Sequence, residues 1–140
     1  MKNKVVTELK RIAEENGGLL QPETVVDEAR PESSPLHSRF EWDDGVAGEN
    51  YRIWQARQLI RVVVEVISAT GEKENVFVSL TSDRRKNGYR VMTEVLSDAD
   101  MRQKMLADAL TELELFRDKY KRLRELAVIF SAIRKVKKKK

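Results

Sequence analysis

The residues with the clearest chemical potential are cations that lie close to a turn. Four of them surround the Asn87-Gly88 dipeptide, which is typical of a tight β-hairpin. They are Arg84, Arg85, Lys86 and Arg90. Cationic side chains at a hairpin tip can hold phosphate groups, and this favours nucleic-acid binding. The alternative interpretation is a solvated cluster that only promotes solubility.

A second group of polar side chains lies on a helix predicted over residues 44–60. These side chains could hydrogen-bond to base edges, and they are Arg52, Gln55 and Arg57. Acidic residues near the start of this helix would repel phosphates. They are Glu41, Asp43, Asp44 and Glu49. The alternative is therefore a core helix whose arginines are solvated or paired with these acids.

The same segment contains aromatic and acidic residues that allow two interpretations each. Trp42 and Trp54 could stack on unpaired bases, but Trp54 falls at core spacing with Ala47 and Tyr51, which favours burial. The carboxylates before the helix could bind a cation, although capping the helix dipole is the simpler role. His37, an isolated loop histidine, is interpreted as structural.

Several classes of chemistry are excluded by what the chain lacks. It has no cysteine and one histidine, so disulfides, thiol nucleophiles and multi-histidine metal centres are ruled out. It carries no glycine-rich phosphate loop and no nucleophile elbow. We therefore predict a protein that is not an enzyme, with no catalytic residues, no metal ligands and no cofactor.

Charge is distributed unevenly along the chain. Residues 117–140 contain 11 Lys or Arg and 2 Asp or Glu, while the whole 140-residue chain carries only +4. The first 116 residues therefore carry −5. The chain ends in a predicted flexible polycation formed by Lys135, Lys137, Lys138, Lys139 and Lys140. Such a tail favours polyanions through counterion release, or it is simply solvated.

The elements that must position these groups follow from the hydrophobic pattern. Helices are predicted over residues 3–16 and from Pro22 to about residue 29, before the helix at 44–60. Residues 61–67, 76–80 and 89–95 are rich in β-branched and apolar side chains, and predict a three-stranded antiparallel meander. This order is that of a winged helix-turn-helix, although the 12-residue connection before the third helix is longer than usual.

The C-terminal third contains an apolar seam with the spacing of a coiled coil. Its members alternate at intervals of three and four residues: Leu106, Ala109, Leu113, Phe116, Tyr120, Leu123, Ala127 and Phe130. A continuous helix from about 98 to 134 would be roughly 55 Å long. Because a domain of this size is only about 30 Å across, the helix either projects or is broken. The exposed seam predicts self-association.

Together these patterns predict an α+β fold with three parts. A winged-helix-like domain covers residues 1–96, an oligomerisation helix covers 97–134, and a basic tail covers 135–140. The leading hypothesis is a dimeric or higher-order protein that binds double-stranded DNA. The alternative is an interaction module with a protein partner. No apolar run reaches the roughly 18 residues of a membrane span, so we expect a cytoplasmic protein with no membrane partner.

One stretch carries a more specific pattern. It runs SPLHSRFEWDD over residues 34–44 and YRIWQARQLI over residues 51–60. This pattern resembles one found in small uncharacterised proteins of bacteriophages and prophages. The resemblance implies a phage or mobile-element protein in the bacterial host cytoplasm, or a virion component. Under the interaction-module alternative, the possible partner is a phage or host protein. The resemblance implies no activity and no site residue.

Overall fold

The structure is a computed structural model that describes residues 3–45, 48–67 and 69–138. Its helices are α1 (Lys4–Glu15), α2 (Pro22–Ala29), α3 (Glu49–Val62), α4 (Met92–Ser97), α5 (Ala99–Tyr120) and α6 (Ala127–Lys138). Its strands are β1 (Leu19–Leu20), β2 (Val64–Val66), β3 (Lys73–Asn75), β4 (Phe77–Val78) and β5 (Tyr89–Val91). The predicted α+β class is confirmed. Within the described residues, no helix is long and apolar enough to cross a membrane.

The core forms where α1, α2 and α3 pack together under the short strands. Helix α1 is capped by Asn3, whose side-chain oxygen accepts a hydrogen bond from the Val5 amide at 2.9 Å. One face of α1 is apolar and buried, as its periodicity predicts. The principal buried residues of the three helices are Val5, Val6, Leu9, Ile12 and Ala13, then Val25, Val26 and Ala29, then Ala56, Leu59 and Ile60.

The strands are antiparallel but form two separate sheets. Strand β5 lies in the centre of the first sheet, between β1 and β4. Strands β2 and β3 form a hairpin of their own. The prediction that residues 61–67 join this meander is therefore wrong, because the third strand of the first sheet is the two-residue β1. A two-residue strand has no periodicity by which a sequence could reveal it.

Several element boundaries differ from the predicted ones. Helix α3 begins after Gly48, so Asp43 and Asp44 do not cap it. Residues 61 and 62 continue α3, and residues 92–95 belong to α4. Asp98, and not Ser97, caps α5 by accepting a hydrogen bond from the Met101 amide at 3.0 Å. Ala47, a predicted core position, lies outside the described residues.

The Asn87-Gly88 dipeptide is required for two different reasons. Asn87 adopts a left-handed conformation with φ of 51° at the end of the 3₁₀ turn Thr81–Lys86. Gly88 does not, but a Cβ atom there would lie 2.7 Å from Cγ of Leu19. Glycine at this position therefore lets β5 approach β1 closely.

The predicted C-terminal helix is broken, which was one of the two alternatives. Helix α5 ends at Tyr120, and α6 folds back against it after a turn. The Phe116 and Phe130 rings meet edge to face with centroids 6.4 Å apart, and Lys137 Nζ lies 2.7 Å from Glu114 Oε1. Since α6 reaches Lys138, the prediction of a flexible tail is wrong for residues 135–138. Lys139 and Lys140 lie outside the described residues.

Candidate nucleic-acid interface

A basic cleft of about 700 Å³ opens between α3 and the β4–β5 end of the first sheet. Three arginines line it: Arg57 and Arg61 from α3, and Arg84 from the 3₁₀ turn Thr81–Lys86. The other polar lining residues are Asn75, Ser79, Asn87 and Tyr89. No carboxylate in the described part of the chain lines the cleft. The cleft therefore combines positive charge with neutral hydrogen-bonding groups, which suits an anion.

Helix α3 positions two of the three cleft arginines, Arg57 and Arg61. Ala56, Leu59 and Ile60 bury one side of α3 in the core, so the side that carries Arg57 and Arg61 faces outward. These two arginines are four residues apart and are neighbours on the helix surface. Across the described residues, neither they nor Arg84 forms an ion pair with a carboxylate. Their charges are therefore uncompensated within the protein.

The 3₁₀ turn Thr81–Lys86 is fixed by an internal ion pair. Asp83 is 5% exposed, and its two oxygens accept hydrogen bonds from Arg90 Nε and Nη2 at 2.7 and 2.9 Å. Asp83 raises the pKa of the Arg90 guanidinium. The Arg90 side chain is 22% exposed, and its ion pair with Asp83 positions the turn that carries Arg84. Its role as a phosphate ligand stays a prediction.

Two further contacts anchor this turn to the rest of the fold. The Gln21 side chain donates a hydrogen bond to the Lys86 carbonyl at 2.8 Å. Asp108 of α5 accepts hydrogen bonds from the Thr81 amide at 2.9 Å and from the Thr81 hydroxyl at 2.6 Å. The turn therefore connects the cleft directly to α5.

Two of the residues predicted to contact bases instead contact the segment before α3. The Arg52 side chain is buried, with Nη2 2.6 Å from Asp44 Oδ1 and Nη1 donating to the Glu41 carbonyl at 3.2 Å. The Gln55 side-chain oxygen accepts a hydrogen bond from the Glu41 amide at 3.2 Å. Both residues hold the connection between α2 and α3. The buried Arg52 is therefore not placed to contact bases, whereas this role stays a prediction for the half-buried Gln55. Of the three candidates on this helix, Arg57 alone reaches the cleft.

The remaining basic candidates are exposed near the cleft or far from it. Arg85 and Lys86 share the exposed turn with Arg84 and stay predicted phosphate contacts. Lys135 and Lys138 are exposed on α6, whereas Lys137 is paired with Glu114. Arg61 was not predicted because residues 61–67 looked like a strand. The signal that could have found it is its spacing of one helical turn from Arg57.

The residues of the phage-like pattern form a structural cluster around Trp42. His37 stacks on Trp42 with ring centroids 5.0 Å apart, and the indole nitrogen donates to the His37 carbonyl at 2.7 Å. The Arg30 and Arg52 guanidiniums lie 5.7 and 5.5 Å from the Trp42 ring centroid. His37 is structural, as predicted. The cluster shapes the long α2–α3 connection.

The acidic residues before α3 and at its start form ion pairs or hydrogen bonds in and around this cluster. Arg30 Nη2 lies 2.7 Å from both carboxylate oxygens of Glu49, and Arg52 pairs with Asp44 and Glu49. Asp43 and Glu41 accept hydrogen bonds from nearby backbone amides. Arg30, with a smaller contribution from Arg52, holds the pKa of Glu49 below its ordinary value. These acids therefore repel phosphates less than their sequence suggests.

The Glu49 pairing makes a prediction about stability and pH. A carboxylate whose pKa is lower in the folded state than in the unfolded state stabilises the fold at pH values above its unfolded pKa. This stabilisation is lost as the pH falls through its folded pKa. We expect Glu49→Gln to lower Tm by a few degrees at neutral pH. The difference in Tm between this variant and wild type should disappear below roughly pH 4. Thermal unfolding monitored by circular dichroism between acidic and neutral pH measures both.

The control for this prediction is Glu32→Gln. Glu32 is exposed and forms no ion pair within the described part of the chain. Its replacement should leave Tm unchanged at every pH. A Glu49→Gln variant that matches wild type at neutral pH would contradict the assignment.

Comparison with protein-family models, with curated proteins and with solved structures finds no match for this chain.

Proposed function

We propose that the protein binds double-stranded DNA, without catalysis, through the basic cleft. The observation that carries the proposal is the convergence of Arg57, Arg61 and Arg84 with no carboxylate in the cleft lining. Phosphate groups of a nucleic-acid backbone are the abundant anions that such a cleft fits. Arg85 and Lys86 add positive charge beside it on the exposed turn.

The order of the elements supports this proposal. Helix α1, strand β1, helices α2 and α3, and then the β4–β5 hairpin follow one another as in a winged helix-turn-helix. In such a fold the third helix enters the major groove and the hairpin contacts the backbone. Here α3 and the turn between β4 and β5 supply the cleft arginines. The β2–β3 hairpin and the long α2–α3 connection are the departures from that arrangement.

Self-association is the second element of the proposal. Leu106, Leu113 and Phe116 lie on the apolar seam of α5 and are 39%, 40% and 45% exposed. A second copy that covers this seam would place two basic clefts on one particle, which strengthens binding to a long polyanion. The sequence pattern around Trp42 resembles that of phage and prophage proteins, so the proposed place of action is a bacterial cell.

A second candidate function is a protein-interaction module in phage assembly, in a virion or on a host protein. The exposed apolar residues of the α5–α6 hairpin favour it, since Leu115, Val128 and Ile129 are 65%, 81% and 51% exposed. Large exposed apolar surfaces mark protein contacts more often than nucleic-acid contacts.

The deciding experiment is a salt titration of DNA binding by a triple cleft variant, Arg57→Ala/Arg61→Ala/Arg84→Ala. Each phosphate contact contributes about 0.9 to the slope of log K against log salt. We expect the variant to bind a random duplex at least about tenfold more weakly, with a slope smaller by about three. Fluorescence anisotropy on a labelled duplex measures both quantities.

The matched control is Lys121→Ala/Arg122→Ala/Arg124→Ala. It removes the same number of positive charges from exposed positions at the α5–α6 turn. We expect this control to change affinity and slope much less than the cleft variant. Equal losses in the two triple variants would show that net charge alone drives binding. Absence of binding by the wild type to both duplex and single-stranded DNA would favour the interaction module.

A further inference from the structure

An exposed aromatic pair lies on α3, the helix that also carries Arg57 and Arg61 of the basic cleft. Tyr51 and Trp54 were expected in the core because of their spacing, but this expectation is wrong. They are 48% and 49% exposed, and their rings stack with centroids 5.7 Å apart at an interplanar angle of 18°. The helix buries Arg52, Ala56, Leu59 and Ile60 instead, which turns the aromatic pair outward.

The position of the pair on the helix connects it to the cleft. Trp54 precedes Arg57 by three residues, and Arg57 precedes Arg61 by four, so the three side chains follow one strip of the helix surface. The strip therefore begins with flat apolar rings and continues with two uncompensated cations. An apolar patch alone would suit many protein partners. An aromatic pair continuous with guanidinium groups suits a strand whose bases stack while its phosphates are held.

We propose that the Tyr51–Trp54 pair stacks on an unpaired base of the DNA strand whose phosphates occupy the cleft. This inference rests on the proposed function, because the phosphates occupy the same cleft, and it specifies the DNA that binds most tightly: a strand with at least one unpaired base. Bases in an intact duplex are stacked on one another and present only their edges in the grooves. A free base presents its whole face to an indole ring, and the contact tolerates any sequence.

The carboxylates nearest to the pair do not oppose this arrangement. Glu49 and Asp44 are the acids on or close to the first turn of α3, and both are paired with arginines. Arg30 and Arg52 thus neutralise the charge beside Tyr51. A phosphate backbone that passes the aromatic pair on its way to Arg57 therefore meets little net negative charge.

The test compares full-length wild type with Trp54→Ala and Trp54→Phe on three probes. The probes are an oligothymidylate of roughly 20 nucleotides, an abasic strand with the same number of phosphates, and a duplex of the same length. Anisotropy gives the affinities, and tryptophan emission reports stacking directly. Trp42, half-buried against His37, supplies an internal reference that remains when Trp54 is replaced.

We expect wild type to bind oligothymidylate more tightly than either other probe, with quenched emission. Trp54→Ala should weaken binding to oligothymidylate by roughly 5- to 100-fold, Trp54→Phe by less than about threefold, and neither should change binding to the abasic strand. Because Trp54 is exposed, circular dichroism should show that both variants fold as wild type does.

Other outcomes overturn the inference in distinguishable ways. If wild type binds the duplex and the abasic strand as tightly as oligothymidylate, and Trp54→Ala changes nothing, the stacking inference fails while the proposed function stands. If no probe binds, the proposed function fails with it. If Trp54→Ala alters self-association but not affinity for oligothymidylate, the pair is a protein contact and the inference is wrong.

Discussion

We expect Asp83→Ala to lower the free energy of unfolding by roughly 3 kcal/mol, since removal of one member of a buried ion pair leaves the other charge uncompensated. Asp83 is 5% exposed, and it accepts two hydrogen bonds from Arg90. The same change should release the turn that carries Arg84 and so weaken DNA binding. Urea unfolding, followed by circular dichroism, measures the stability loss.

Two further variants test the cause of this loss. Asp118→Ala removes an exposed carboxylate 3.7 Å from Arg117 and should change stability by less than about 0.5 kcal/mol. Asp83→Leu/Arg90→Met replaces both members of the buried pair with apolar groups and should restore most of the lost stability. An Asp83→Ala variant as stable as wild type would show that the pair does not hold the turn.

A second large effect is expected on self-association through the apolar seam of α5. We expect wild type to form a dimer or a larger oligomer, and Leu113→Lys to convert it to a monomer. Leu113 lies at the centre of the α5 seam and is 40% exposed, so lysine there should not disturb the fold of a single copy. A buried lysine opposite a second copy would lack a partner and oppose association. Light scattering coupled to size-exclusion chromatography measures the mass.

The matched control for this change is Leu115→Lys. Leu115 is 65% exposed on the same helix but lies off the seam, two residues from Leu113. It adds the same charge at a similar distance from the cleft. We expect it to leave the mass unchanged. A monomeric wild type, or equal disruption by both variants, would show that the seam is not the interface.

The parts of the fold that followed from the sequence are those set by local periodicity. The stripe Val5, Leu9 and Ile12 identified the buried face of α1, because a helix that packs on one side repeats every three or four residues. The cations at positions 84–86 were recognised as a cluster because they adjoin a turn signal. Both features depend on residues close together in the chain.

The parts that did not follow depend on distant contacts. The buried face of α3 was assigned wrongly because it includes the charged Arg52, whose burial depends on contacts that include Asp44, Glu49 and Trp42. Because the buried face of α3 was assigned wrongly, Trp54 was predicted to lie in the core. The convergence of Arg57 with Arg84 depends on how the sheet packs on α3, and no local pattern encodes it. Arg90 was likewise taken for a surface cation because its partner Asp83 is itself buried.

The turn between α5 and α6 contains neither glycine nor proline. Nothing in its local sequence prevents the chain from continuing as one helix, and the seam spacing runs through it. The closed hairpin is therefore held by contacts such as Phe130 against Phe116 and Lys137 against Glu114, not by a residue that breaks helices. The same contacts are available between α6 of one copy and α5 of another. We therefore expect this turn to permit domain swapping, with the fraction of exchanged dimer rising as protein concentration rises.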